Sequence, residues 1–265
     1  MLRAPTVAVA LAVVSALGAG AILAGCQATA GRRLPPPVSE AGLAPPTAPP
    51  TSTRQVGSVT LEGAPHAAWA RREVDLFKKP AAGTRMSSYP AHTPWGGPSV
   101  FLVRDAWRDE LGDLWLRVQL PRRPNGASAW ARARDLALTP LQYAVEVDLS
   151  ERRLRLLRDG DLVKTYRVAV GRATTPTPVG DFYVTVKLRP PVISRVYGDW
   201  ALGLSGFSDV LDQFGTGDGQ IAVHGTSGTW SLGQAVSNGC VRMSNRDISE
   251  LARLLPQGSP VRIKA

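Results

Sequence analysis

Short apolar runs that alternate residue by residue, cut apart by proline and glycine, constrain this chain more than any other feature. Leu114, Leu116, Val118 and Leu120 alternate with Trp115, Arg117 and Gln119; Val145, Val147 and Leu149 alternate with Glu146 and Asp148. A period of two puts one set of side chains on each face of a strand, so each run is half of something and needs a partner sheet or core. With 26 Gly and 22 Pro among 265 residues, long helices are disfavoured and a mainly β fold is expected. One segment does carry a helical period. Ile248, Leu251, Ala252 and Leu255 fall at i, i+3, i+4 and i+7, Ser244 stands ahead as a cap with Asp247 three residues on, and Pro256 and Gly258 close it.

The chain divides into four stretches. Residues 1–25 read as a signal peptide: Arg3 precedes an uncharged apolar run from Ala8 to Leu23. Its end, Leu23-Ala24-Gly25-Cys26, resembles a bacterial lipoprotein signal in which the Cys26 sulfur takes the lipid. A plain spanning helix is the alternative, but it has no need of a Cys at its exit. An exported protein, anchored by lipid to a bacterial membrane and facing the wall or periplasm, is therefore expected. Residues 26–66 hold Pro35-Pro36-Pro37, Pro45-Pro46 and Pro49-Pro50 with few large apolar side chains, the composition of an extended linker.

Residues 67–140 should form a small all-β domain. Val74–Phe77, Val100–Val103 and Leu114–Val118 are β-rich and are separated by Pro94-Trp95-Gly96-Gly97-Pro98 and Pro124-Asn125-Gly126. The run Trp115-Leu116-Arg117-Val118, with Trp130 and Asp135-Leu136 behind it, is similar to bacterial SH3-like barrels, and both tryptophans read as core. Residues 141–265 form the second domain. Leu154–Leu157, a turn at Arg158-Asp159-Gly160-Asp161 and Leu162–Val170 make a hairpin; Phe182–Leu188 is another strand. Val192–Gln220 lacks periodicity and reads as a long loop or lid. Ile221-Ala222-Val223 is a short buried strand ending at His224, and Val261–Ile263 is a last strand.

Charge and cysteine count narrow the function. A net charge of +10 suits a polyanionic partner, but no block of Lys/Arg and no nucleic-acid motif is present, so nucleic acid is excluded. The chain has two cysteines, Cys26 and Cys240. With Cys26 lipidated, Cys240 is an unpaired thiol in an exported protein, which calls for a chemical reason. A structural zinc site needs four ligands and this domain offers one Cys and one His, so no metal and no cofactor is expected.

That reason lies in two segments, His224-Gly225-Thr226 and Ser237-Asn238-Gly239-Cys240-Val241-Arg242-Met243, with His224 and Cys240 sixteen residues apart. A thiol is a poor nucleophile until it loses its proton, and an imidazole can take that proton or pair with the thiolate as imidazolium. Gly239 leaves room for a carbonyl to approach the backbone N–H groups of the turn.

Together these segments resemble the catalytic domain of the YkuD-type L,D-transpeptidases, over about Tyr143 to Ala265. Gly171, the run from Thr174 to Phe182 and Ala201-Leu202-Gly203-Leu204 resemble the family as well. Asn238 departs from it, standing where many members have a second His, which leaves His224 as the only candidate base; His66 and His92 lie outside this domain. The resemblance implies a β-sandwich catalytic domain with a short helix after the cysteine. It makes Cys240 the nucleophile, His224 the base and then the acid, the Gly225 carbonyl the orienter of the imidazole, and the Gly239 and Cys240 N–H groups the oxyanion hole. Ser237 and Arg242 would hold the turn, and Arg242 would also meet a substrate carboxylate. The implied substrates are peptidoglycan stem peptides, joined as 3–3 cross-links through a Cys thioester. The alternatives are an L,D-carboxypeptidase with water as acceptor, and a non-catalytic wall-binding lipoprotein.

Overall fold

The computed structural model describes residues 57–61, 63, 65–190, 196–213 and 217–265. The expected signal peptide, the lipid attachment at Cys26 and the linker up to residue 56 lie outside these residues.

The first sheet is antiparallel and six-stranded. Its strands are β1 (Gly57–Ser58), β2 (His66–Ala70), β5 (Val100–Arg108), β6 (Leu114–Gln119), β7 (Ser128–Arg132) and β8 (Leu136–Pro140), in the spatial order β7-β6-β5-β2-β8 with β1 paired to β5. The short hairpin β3 (Val74–Leu76) and β4 (Ser87–Tyr89) stands beside it. Gly57–Ser58 lies in the stretch expected as linker, yet it pairs with Arg108 and Trp107. The alternation of Leu114–Gln119 does what a two-residue period should. Leu116 and Val118 enter a core with Phe101, Leu76 and Ala131. Trp115 is 3 % exposed and its indole N–H donates to Asp109 Oδ2 at 2.8 Å, while Trp130 is half-buried.

The second sheet has eight strands: β9 (Tyr143–Asp148), β10 (Arg153–Arg158), β11 (Asp161–Arg167), β13 (Gly180–Leu188), β14 (Ala201–Phe207), β15 (Gln220–Thr226), β17 (Val241–Ser244) and β18 (Pro260–Lys264). Their order is β11-β10-β9-β18-β13-β14-β15-β17, antiparallel except for the pairs β18–β9 and β15–β17. A small parallel pair joins β12 (Val170–Gly171) to β16 (Ala235–Ser237). The single α-helix among the described residues, α1 (Asn245–Leu254), follows β17 without a break. Ser244 Oγ accepts the Asp247 N–H at 3.1 Å, and Ile248, Leu251 and Ala252 are buried against the sheet, so the expected capped helix is present at its expected place.

The stretch Val192–Gln220 differs from the expected loop, because Ala201–Phe207 is an inner strand between β13 and β15. Buried on both faces, it cannot show polar alternation. Its glycines are there to let neighbours in. A Cβ on Gly206 would come within 2.5 Å of Phe182 Cε1, and one on Gly203 within 2.8 Å of Val186 Cγ1.

The two sheets share a buried seam. Ala67, Val100 and Leu102 of the first meet Leu141 and Tyr183 of the second. Tyr183 is fully buried, and its hydroxyl donates between the carbonyls of Val100 at 3.1 Å and Gln119 at 3.2 Å. Gln119 Nε2 in turn donates to Asp181 O at 2.7 Å. A second seam runs through the turn before β7: Arg123 donates to the carbonyls of Ser208, Leu211 and Asp218, and Asn125 both donates to and accepts from the Phe207 main chain. Tyr183→Ala empties the centre of the first seam and should cost about 3–5 kcal/mol, the usual scale for truncating a buried aromatic. Denaturant unfolding of the full chain measures it; a loss below about 1 kcal/mol would mean that the seam contributes little to stability.

Candidate active site

The site is built by two parallel strands. In the β15–β17 pair Val223 lies opposite Val241 and His224 opposite Arg242. Val223 and Val241 are buried in the core. Successive side chains of a strand point to opposite faces, so Ala222, His224 and Arg242 project to the other side of the sheet, and Cys240 stands immediately before β17. The Cys240 thiol meets the Ala222 main chain, two residues before His224, and His224 lies opposite Arg242.

His224 is 2 % exposed. Its Nδ1 lies 2.7 Å from Gly225 O. A carbonyl can only accept, so the neutral ring carries its proton on Nδ1 and presents an unprotonated Nε2. Burial, helped by the Arg242 cation and opposed by the Gly225 hydrogen bond, lowers the His224 pKa to about 4. Burial pushes the Cys240 thiol up, while a hydrogen bond with the Ala222 main chain and the Arg242 charge pull it back. Both shifts disfavour charge on the pair, the thiol being partly exposed. Of the two states the sequence left open for this pair, the buried site favours proton transfer over a standing thiolate–imidazolium ion pair.

Ser237 organises the turn ahead of the cysteine. It is fully buried; its hydroxyl donates to Cys240 O at 2.6 Å and accepts the Gly239 N–H at 3.1 Å. The Gly239 amide, expected as an oxyanion donor, is thus engaged by Ser237 within the turn. Gly239 has φ of +112°, a conformation that favours glycine, and this is what the position requires. Its would-be Cβ meets only ordinary contacts at 3.5 Å and beyond. Around the turn, Thr175 Oγ1 and Arg172 N both donate to Ser237 O, and Arg172 Nη2 donates to Asn238 Oδ1 at 2.6 Å. The Arg242 main chain pairs with Ala169 in both directions, while its buried Nε has no hydrogen-bond partner and its guanidinium has no carboxylate partner among the described residues.

Tyr197 also belongs to the site and was hidden in the sequence within the supposed loop. Its ring meets the His224 ring edge-on with centroids 5.0 Å apart, and burial together with the nearby Cys240 raises its pKa. The turn that carries it is pressed onto β15. A Cβ on Gly198 would fall 2.1 Å from Asn245 Oδ1, one on Gly225 2.3 Å from the same atom, and Asn245 Oδ1 accepts the Asp199 N–H at 3.2 Å. Among the described residues no group of three or more His, Cys, Asp and Glu side chains could hold a metal ion.

The protonation state has a kinetic signature. Alkylation of Cys240 by iodoacetamide in the Cys26→Ala chain, followed by mass spectrometry, should accelerate steadily as pH rises, without an acid plateau, past the ordinary thiol pKa of about 8.5. A plateau of high reactivity between pH 5 and 7 would instead mark a thiolate–imidazolium pair at rest.

Comparison with known proteins identifies the family of the second domain. The family model for the L,D-transpeptidase catalytic domain matches residues 142–263. YkuD of Bacillus licheniformis is 40 % identical over 123 residues, covering 46 % of this chain and 66 % of its own length. YqjB of Bacillus subtilis is 36 % identical over 125 residues, covering 45 % of this chain and 69 % of its own. A solved L,D-transpeptidase of Mycobacterium tuberculosis H37Rv aligns over 69 % of this chain and 70 % of that one, with 19 % identity and a TM-score of 0.39. The residues matched by the family model include β15 and β17, and the chain belongs to the YkuD-type L,D-transpeptidase family.

Proposed function

We propose that this protein is a peptidoglycan L,D-transpeptidase that works through a thioester on Cys240. The observation that supports it most directly is the locked imidazole. With Nδ1 committed to Gly225 O, the only free lone pair of His224 is at Nε2, and Cys240 immediately precedes the strand paired with that of His224.

In the first step Nε2 takes the Cys240 proton as sulfur attacks the carbonyl between the third and fourth residues of a stem tetrapeptide. The thiolate therefore exists only as the new C–S bond forms, which suits a site that disfavours standing charge. The developing oxyanion is met by the Cys240 N–H and by the positive field of Arg242. The imidazolium then protonates the departing amine, D-Ala leaves, and the thioester remains. In the second step an acceptor amine attacks the thioester and gives its proton to Nε2, and His224 returns that proton to sulfur. When the acceptor is the side-chain amine of another stem, the product is a 3–3 cross-link; when it is water, the product is a tripeptide and the enzyme is an L,D-carboxypeptidase.

Mass spectrometry of the protein incubated with tetrapeptide muropeptides should show loss of D-Ala and cross-linked dimers. Cys240→Ala should abolish both, and His224→Ala should slow them on the order of 10²–10⁴-fold. A carbapenem, whose strained carbonyl takes the place of the peptide carbonyl, should leave one adduct on the Cys240 peptide. Normal turnover by Cys240→Ala, or a folded protein that forms no adduct, would favour a non-catalytic wall-binding lipoprotein.

The protein is proposed to act from a membrane, exported and held by lipid on Cys26, with residues 27–56 reaching toward the wall. Cys26→Ala should move it from the membrane fraction to the soluble one; retention at the membrane would favour a spanning helix in the leader.

A further inference from the structure

We infer that Arg172 receives the terminal carboxylate of the donor stem, the carboxylate of the residue that leaves. This rests on the transpeptidase reading above and adds to it the group that selects a free chain end.

Arg172 is tied to the nucleophile's turn at two points and held by its own segment at a third. Its N–H donates to Ser237 O at 3.1 Å, its carbonyl accepts the Thr175 N–H at 3.0 Å, and its Nη2 donates to Asn238 Oδ1 at 2.6 Å. Asn238 stands two residues before Cys240. The side chain is exposed, yet both its backbone and its tip are fixed, so much of the rotamer freedom that arginine loses on binding is already lost here. One N–H of the guanidinium is used by Asn238, which leaves donors in the fork that matches a carboxylate. Among the described residues no Asp or Glu pairs with it; the ion pairs on this sheet are made by Arg155, Arg158, Lys164, Arg262 and Lys264.

The chemistry of the reaction puts a carboxylate close by. The attacked carbonyl belongs to the penultimate residue, so the next residue ends the peptide and its carboxylate lies one residue from the reacting carbon. Two cations flank Cys240, Arg172 through Asn238 before it and Arg242 after it. Arg242 is half-buried with its Nε enclosed, beside His224. Arg172 lies at the open rim, where a departing amino acid has a route to water. The leaving carboxylate is assigned to the rim, and the enzyme becomes selective for stems that end at the fourth residue over stems in which that position is an amide.

The test compares kcat/KM for a tetrapeptide with a free C-terminus and for its C-terminal carboxamide, using the full chain. The wild type should prefer the acid by about 10–100-fold, the scale of a charge-assisted bidentate contact. Arg172→Ala should bring the ratio close to one, chiefly through KM for the acid. Arg172→Lys, which keeps the charge without the fork, should retain part of the preference, and Asn238→Ala should lower it because the fork is no longer held. An unchanged ratio in Arg172→Ala, or equal losses on both peptides, would overturn the assignment. A ratio that collapses in Arg242→Ala but not in Arg172→Ala would overturn it too, and would place the carboxylate at Arg242. If the wild type turns over neither peptide, the transpeptidase reading itself fails, and this inference with it.

Discussion

The parallel register of β15 against β17 is the constraint on which the rest of the site depends. Parallel neighbours cannot be joined by a tight turn; the chain must cross over, which takes about a dozen residues or more. Here the crossover is the segment between Thr226 and Val241, which includes β16 and its pairing to β12. The sixteen-residue spacing between His224 and Cys240 is therefore the length of a crossover, and a chemical motif in the sequence is also a topological one. A slip of one residue in this pairing would turn Val223 and Val241 out of the core and bury the chemistry instead. Two things prevent the slip. Both valines are enclosed by Ile248 and Leu251 of α1, and the Arg242 main chain is clamped from its other side by Ala169.

The same burial that fixes the register sets the electrostatics. Removing an imidazole and a thiol from water disfavours their charged forms, and a cation beside them opposes the imidazolium while favouring the thiolate. Arg242 does both, and its charge is not cancelled by a carboxylate among the described residues. A thiolate waiting in an exported protein would be open to oxidation. A neutral thiol avoids that exposure. The family motif at Ser237 serves this arrangement indirectly. Its hydroxyl closes the turn by binding both Gly239 N–H and Cys240 O, so it fixes where the sulfur stands without touching it.

Much of this was legible in the residues. The capped helix, the alternating strands and the two catalytic segments each rest on short-range patterns, and the mainly β fold follows from them. What escaped reading has a physical cause in each case. Ala201–Phe207 is buried on both faces and uses Gly203 and Gly206 as space for Val186 and Phe182, so it carries none of the alternation that marks a half-exposed strand. Tyr197 reaches His224 only because Gly198 and Gly225 let the two backbones close together over Asn245, a three-way contact that no local spacing encodes. The Gly239 N–H looked free to meet an oxyanion because a serine two residues earlier gives no sign, in sequence, of which way its hydroxyl turns. The protonation state of the pair was open for a similar reason: it depends on depth of burial, which is a property of the assembled sheet.

The seam between the two sheets connects the first sheet to this chemistry. β14 and β15 are joined by residues 208–219, and the far end of β15 carries His224. At the start of that connection Phe207 is held through its main chain by Asn125, and the Arg123 guanidinium lies over its ring, 4.9 Å from the centroid. The same guanidinium donates to the carbonyls of Ser208, Leu211 and Asp218, which brackets the connection at both ends. Carbonyls in an irregular segment need donors, and here one side chain of the first sheet supplies three of them. Asp218 lies only two residues before Gln220, where β15 begins and where Gln220 Nε2 donates to Leu204 O at 2.6 Å. The first sheet thus reaches the catalytic strand by holding the chain that feeds it. A loop free at both ends would leave the entry to β15 to pairing with β14 alone, whose register already shifts between Gly203 and Phe207. Fixing that entry from outside the second sheet narrows the positions His224 can take, so the first sheet bears on the geometry of the proposed site.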